Sequence, residues 1–270
     1  MSELERATTL GVITGSRSFL FYGPGGSGKT SLAVKHPGKK KIYADIDERL
    51  HELQLTKEER DAITVWRPDV TLGNPQIQIV SIDPTRKNVY AGTQITEEPK
   101  GYKRTVTFLN ELITLSYECR KKNDPFPFDC AIIDSLTRLV DHCIYAVMYQ
   151  HKATNMTQTL YGVEGRNLKE LIFGFLLLPC DKILIAHSVH NEKRDEESGA
   201  IIWERIRPNV QGSNALREEL QTYFSEVYHF LGRKPNGKYL IQTATDRLAP
   251  ARTTRALTFE QEIDPKIIFA

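Results

Sequence analysis

Short apolar runs alternate with amphipathic stretches along this chain, the pattern of an α/β domain built on a mainly parallel sheet. Ser18–Tyr22 (SFLFY) predicts a short strand ending in a glycine-rich turn, and Lys29–His36 the helix that follows. Lys41–Ala44 predicts a second strand, closed by an acidic turn at Asp45–Glu48, and Arg49–Ile63 is polar and helix-prone. Ile77–Ile82 alternates, which suits a third strand or one arm of a β-hairpin. Phe108, Leu109, Leu112, Ile113 and Leu115 give Val106–Lys121 the spacing of an amphipathic helix. Cys130–Ile133 is continuously apolar, as a strand covered on both faces requires. Helices are expected at Leu136–Tyr149 and Asn167–Leu178, with a buried strand at Lys182–Ala186 behind them. The charged segment Asn191–Arg207 reads as a mobile loop or hairpin, and Ala215–Phe224 as a helix. Glu226–Leu231 and Lys238–Thr243 read as strands joined by Lys234-Pro235-Asn236-Gly237, a hairpin signal.

With 270 residues and 40% hydrophobic content the chain can bury a substantial core, and no Ser/Gly- or Pro-rich linker divides it. One domain over residues 1–270, with a core at about 15–248, is the expectation. A net charge of +2 neither selects nor excludes nucleic acid, because it hides how charge is distributed. Cys119, Cys130, Cys143 and Cys180 are too far apart for a zinc knuckle or CxxC pair and read as reduced packing residues. The opening MSELERATTLGVITG lacks the apolar stretch of a signal peptide, and no run of about 18 apolar residues occurs. A cytoplasmic protein without a membrane partner is expected.

Gly23-Pro24-Gly25-Gly26-Ser27-Gly28-Lys29-Thr30 matches GxxxxGK[ST] at every fixed position, between a predicted strand and a predicted helix. Its glycines let backbone N–H groups point inward as an anion nest at a helix N-terminus. Lys29 is expected to reach the β- and γ-phosphates of a nucleoside triphosphate, and the Thr30 hydroxyl to coordinate Mg²⁺. Ser31 completes the expected nucleotide-binding stretch. A carboxylate at the end of a neighbouring strand must complete the metal shell. Asp134, directly after Cys130–Ile133, supplies it, whereas Asp129 opens the same strand and so lies at the opposite sheet edge. Asp134 could instead cap the next helix, but Ser135 is the better cap. Orienting the attacking water needs a second carboxylate. None follows Asp134 directly, so the acidic turn after strand two provides the candidates, Asp47 first and Glu48 next. A solvated turn capping the following helix is the alternative there.

Together these residues resemble the RecA-fold ATPases, in particular compact phage-encoded RecA-like "AAA domain" ATPases that include the Sak group of single-strand annealing partners. Ile183–Ser188 (ILIAHS), Pro208-Asn209-Val210-Gln211-Gly212 and Thr245-Asp246-Arg247 are similar to further elements of that family. The resemblance covers about Arg17 to Arg247 and implies an RecA-like P-loop fold with a C-terminal β-hairpin. It also implies ATP and Mg²⁺ as ligands, with His187 as a γ-phosphate sensor and Ser188 its close competitor. Arg247 would be an arginine finger given across a subunit boundary, opposed by an ordinary surface role. The catalytic glutamate of such relatives maps onto Asp47, whose shorter side chain departs from the pattern. No guanine-recognition motif Asn/Thr-Lys-x-Asp occurs, which favours ATP.

The same resemblance implies a homo-oligomer, ring or filament, in the host cytoplasm, acting on single-stranded DNA in recombination, with a single-stranded DNA-binding protein as a further partner. Two DNA-facing loops would lie at His151–Arg166 and His190–Arg207. The first carries His151, Lys152, Asn155, Gln158, Tyr161 and Arg166; the second carries Lys193, Arg194, Trp203, Arg205 and Arg207. Cations there would track phosphates and aromatics stack on bases. Glu192, Asp195, Glu196, Glu197 and Glu204 dilute the second loop, which also suits a solvated mixed-charge loop. The rival classes are a P-loop kinase or nucleotide switch, for which no arginine-rich lid follows Gln211, and a DNA packaging or unwinding motor.

Overall fold

A computed structural model describes residues 16–68, 77–79, 93–195, 201–212, 214–234, 236–254, 257 and 260–269. Strand β1 (Ser18–Gly23) is apolar on both sides: Phe19 and Phe21 enter one core cluster, Leu20 and Tyr22 the other. Helix α1 (Lys29–Ala33), strand β2 (Lys41–Asp45), helix α2 (Lys57–Asp61) and strand β3 (Ile63–Trp66) follow. Next come β4 (Ile77–Ile79), β5 (Thr93–Ile95), α3 (Gly101–Lys122), β6 (Cys130–Asp134), α4 (Leu136–Gln150) and α5 (Gln158–Leu176). The chain continues through β7 (Asp181–Arg194), β8 (Ile201–Pro208), α6 (Asn214–Glu219), β9 (Glu226–Arg233), β10 (Tyr239–Gln242), β11 (Glu260–Ile263) and α7 (Pro265–Phe269).

The main sheet runs β11-β10-β9-β1-β7-β6-β2-β3. From β9 to β3 the neighbours are parallel, while β10 and β11 add an antiparallel edge. This is the expected RecA-like α/β fold. One face packs on α3, α4 and α5 through Leu109, Leu112, Leu139, Cys143, Leu168 and Ile172. The other is covered by Leu32 and Ala33 of α1, Leu50, and Ile268 and Phe269 of α7. The described structure therefore extends past residue 248, the expected end of the core. Among the described residues no helix is long and apolar enough to cross a membrane.

Several elements differ from the sequence expectation. Arg49–Ile63 is not one helix: a 3₁₀ turn at Leu50–Glu52 is followed by the short α2 and then β3. Thr56 starts α2 with a capping box, its hydroxyl accepting from Glu59 N–H while the Glu59 carboxylate accepts from Thr56 N–H. Ile77–Ile79 pairs antiparallel with β5 outside the main sheet, so the hairpin option holds there; residues 80–82 lie outside the described set. Helix α5 begins at Gln158 rather than Asn167, capped by the Thr157 hydroxyl. Gly162 and Gly165 weaken the helical signal over that turn, but Leu160, Glu164, Leu168 and Leu171 bury a continuous face. Gln158, Tyr161 and Arg166 are consequently helical, and the expected first loop shortens to residues 151–157.

Candidate nucleotide-binding site

Parallel strands bring their carboxyl ends to one edge, and the register aligns them: Gly23 pairs with His187, Asp134 with Ile185, and Asp45 with Asp134. Between β1 and α1 the chain curls through residues 23–28, leaving Pro24, Gly25 and Gly26 exposed. Gly23 lies so close to β9 that a Cβ would sit 2.4 Å from the Phe230 carbonyl oxygen. Gly28 caps α1 in the left-handed region at φ 96°, where a Cβ would also meet the Tyr239 ring at 2.7 Å.

Lys29 is buried and folds back over the loop, its ammonium donating to the carbonyls of Gly23 (2.9 Å) and Pro24 (2.7 Å) and to Ser27 Oγ (3.3 Å). Burial lowers its pKa to about 8, against the opposing pull of Asp134 and Asp47. Thr30 Oγ1 donates to Asp134 Oδ2 at 2.7 Å, and the Tyr43 hydroxyl donates to the same oxygen at 2.5 Å. Burial raises the Asp134 carboxyl to about 6, although the Tyr43 and Thr30 donors resist the shift. Ser31 follows on α1, half-buried. Asp129, at the start of β6, accepts from Lys40 N–H at the far edge of the sheet.

The acidic turn after β2 divides its labour. Asp45 is buried and structural: it accepts from the N–H groups of Arg49 and Leu50 and pairs with Arg67 Nε at 2.9 Å. Ile46 and Asp47 donate their N–H groups to the Asp134 carbonyl, which fixes the turn beside β6. Asp47 Oδ1 accepts from Ser135 Oγ at 2.8 Å, and Oδ2 faces His187 Nε2 at 3.4 Å. Burial pushes the Asp47 carboxyl up, but the His187 and Ser135 hydrogen bonds and nearby Arg49 outweigh it and hold the pKa below the ordinary value. Glu48 adopts the left-handed region at φ 57°. Ser135 also caps α4 by accepting from Arg138 N–H, as expected.

Strand β7 runs well past the expected Lys182–Ala186, through His187 to Arg194. The His187 N–H donates to Thr137 Oγ1 and its carbonyl accepts from Asn209 N–H, which ties the start of the Pro208–Gly212 segment to β7. Arg247 is exposed in a loop ordered by Thr245 and Asp246, and among the described residues no hydrogen bond or ion pair links it to the phosphate loop. The expected second loop is an antiparallel ribbon in which Ser188 pairs with Pro208 and Arg194 with Ile201. Residues 196–200, with Glu196 and Glu197, and the Trp203 side chain lie outside the described set. Tyr43 and Thr137 had no place in the sequence-derived site. Tyr43 left one trace, since a tyrosine in a strand covered on both faces needs a partner for its hydroxyl.

The phosphate loop, the carboxylate at the end of β6 and the RecA-like sheet define a P-loop ATPase. The chain belongs to the AAA domain family, whose model matches residues 16–255. A solved structure described as a prototypical ATPase from the type III secretion system of pathogenic bacteria is similar at 12% identity and a TM-score of 0.41. That match covers 82% of this chain and 52% of the other, so the chain spans about half the length of that ATPase. No curated protein matches the chain.

Proposed function

We propose that this P-loop ATPase binds ATP with Mg²⁺ and hydrolyses it by in-line attack of a water, in a RecA-like protein that acts with single-stranded DNA in recombination. The observation carrying the catalytic reading is one connected set of contacts at the sheet edge: Lys29 over the loop, Thr30 to Asp134, and Asp134 bonded through its carbonyl to Asp47. The Thr30 hydroxyl and the Asp134 carboxylate, already joined by a hydrogen bond, bring together the hard oxygen donors that suit a magnesium ion, and a cation would offset the buried Asp134 charge. Mg²⁺, when bound, neutralises charge developing on the transferred phosphoryl group. Lys29 binds the β- and γ-phosphates beside the backbone nest. Asp47, kept ionised by His187 and Ser135, orients the water, with Glu48 as the neighbouring alternative. His187 senses the γ-phosphate through Asp47 and carries the signal into β7.

The DNA reading draws on the β7–β8 ribbon, which leaves the sheet edge next to His187. It presents His190, Lys193, Arg194 and Arg205, but Arg194 pairs with Glu192 at 2.8 Å and His190 with Glu204 at 3.3 Å. Arg207 pairs with Glu218. Lys193 and Arg205 have no ion pair among the described residues and are the first candidates for phosphate contact. Membership of the phage-encoded Sak group, a cytoplasmic site of action, assembly into a ring or filament with Arg247 crossing a subunit boundary, and a single-stranded DNA-binding partner belong to the same reading. A nucleotide switch is the second reading, favoured because Ser135 and His187 already occupy both oxygens of the short Asp47 side chain.

The deciding experiment is ATP turnover with and without single-stranded DNA, for the wild type and Lys29→Ala. Stimulation by DNA that Lys29→Ala abolishes supports the recombination reading. Turnover indifferent to DNA removes the DNA role, and tight ATP binding without turnover favours the switch.

A further inference from the structure

Asp134 can accept hydrogen bonds at two oxygens, and they are treated differently. Oδ2 takes both the Thr30 and the Tyr43 hydroxyls, at 2.7 and 2.5 Å. Oδ1 takes no hydrogen bond among the described residues. The two donors differ in what else they can do. Thr30 sits half-buried at the start of α1, where its oxygen is also the expected metal ligand. Tyr43 is fully buried, its ring in the core cluster that holds Leu32, Leu50, Cys130 and Ile132. Asp134 is the hydrogen-bond partner of its hydroxyl, which burial and the neighbouring carboxylate keep protonated.

We propose that Tyr43 is a positioning residue for the metal carboxylate: anchored in the core, it holds Asp134 Oδ2 from beneath and leaves Oδ1 as the oxygen offered to the cation. The inference rests on the Mg²⁺·ATP reading above. When Thr30 turns its oxygen lone pairs to the metal, its hydroxyl is shared between two tasks, whereas the Tyr43 hydroxyl has only one. A carboxylate at the end of a strand has two free torsions, and a rigid buried donor removes the rotamers that point Oδ1 elsewhere. Outer-shell partners of this kind set metal affinity by roughly 10- to 100-fold.

The test measures binding of a fluorescent ATP analogue to the whole chain, first in EDTA and then across a Mg²⁺ titration, for the wild type, Tyr43→Phe and Asp134→Asn. Tyr43→Phe is expected to keep its metal-free nucleotide affinity within about twofold and to need about tenfold more Mg²⁺ for half-maximal coupling. An unchanged Mg²⁺ midpoint, or an equal loss of affinity in EDTA and in Mg²⁺, overturns the proposal. Should Tyr43→Phe fail to fold, 3,5-difluorotyrosine at position 43 keeps the ring and its hydroxyl and, with little added bulk, makes that hydroxyl a more acidic donor. A moved midpoint then supports positioning and an unmoved one overturns it. Asp134→Asn separates the two levels: if it retains wild-type Mg²⁺ coupling, the metal reading itself fails. If it loses coupling while Tyr43→Phe does not, only the positioning role falls.

Discussion

Asp134→Asn should make the nucleotide-free protein more stable at neutral pH while ending its Mg²⁺-dependent chemistry. The carboxyl is 6% exposed, and its pKa rises from 3.8 to about 6 because burial disfavours the charge. For an acid with a raised folded-state pKa, the folded form holds the proton more tightly than the unfolded one. The penalty is absent below pH 3.8, grows as pH rises towards about 6, and is complete above it. A little over two units at 1.36 kcal/mol each gives a cost of about 3 kcal/mol at neutral pH. Asparagine removes that charge, and its neutral carbonyl accepts from Tyr43 and Thr30 about as the protonated acid does, so the raised pKa already contains the weaker hydrogen bonds. The net expectation is a gain of up to about 3 kcal/mol at pH 8, some 6–12 °C in Tm for a chain of this size, and almost none near pH 4. Thermal unfolding of both proteins at pH 4, 6 and 8, without nucleotide, measures it. Adding Mg²⁺ to the ATP-bound protein should stabilise the wild type further and leave the variant at its metal-free level. A variant destabilised equally at all three pH values would refute the reasoning, because buried charge would then not be the dominant cost.

The remaining expectations concern the loop, the base and the far edge. Gly23→Ala drives a Cβ to within 2.4 Å of the Phe230 carbonyl, a backbone atom that cannot step aside, and should cost at least about 2 kcal/mol in urea unfolding. Gly25→Ala, with nothing within 4 Å, should stay within about 0.5 kcal/mol of wild type. His187→Ala removes a donor that keeps Asp47 acidic. Turnover should fall at least about tenfold with nucleotide affinity nearly unchanged, and the acid limb of the pH–rate profile should move to higher pH. Phe269→Ala deletes a buried ring 5.6 Å from Phe19 and 4.9 Å from His36, and should lower stability by about 3 kcal/mol without altering ATP binding.

Local signals were legible in the sequence wherever a single stretch carried its own constraint. The phosphate loop, the apolar strands β1, β6 and β7, and the Ser135 cap all follow from spacing and residue type. What escaped were features settled by contacts far apart along the chain. Ser135 and Asp47 are separated by 88 positions, and Tyr43 and Asp134 by 91, so only the pairing of β2 with β6 brings them together. Strand β3 was hidden because Ile63–Trp66 has exposed middle residues and follows a helix shorter than any periodicity can reveal. Helix α5 lost its first turns to two glycines that tertiary packing tolerates.

Strand β7 belongs to two structures at once. It pairs with β6 as far as Ile185 and with β1 as far as His187; from Ser188 onward its partner is β8. The projecting arm, residues 188–194, is roughly 23 Å long at about 3.3 Å per residue. Side chains alternate across such a ribbon, so adding or deleting one residue in each arm near the tip leaves every pairing nearer the sheet in place. The reach of the protrusion is therefore a quantity that insertions can tune in paired steps while Lys29, Asp134 and Asp47 stay where they are. The register already slips between Lys193 and Arg194, and a change in one arm nearer the sheet would add a second bulge or turn a row of side chains to the opposite face. Variation in length should thus be tolerated at the tip and resisted at Ser188 and Pro208, where the ribbon is rooted.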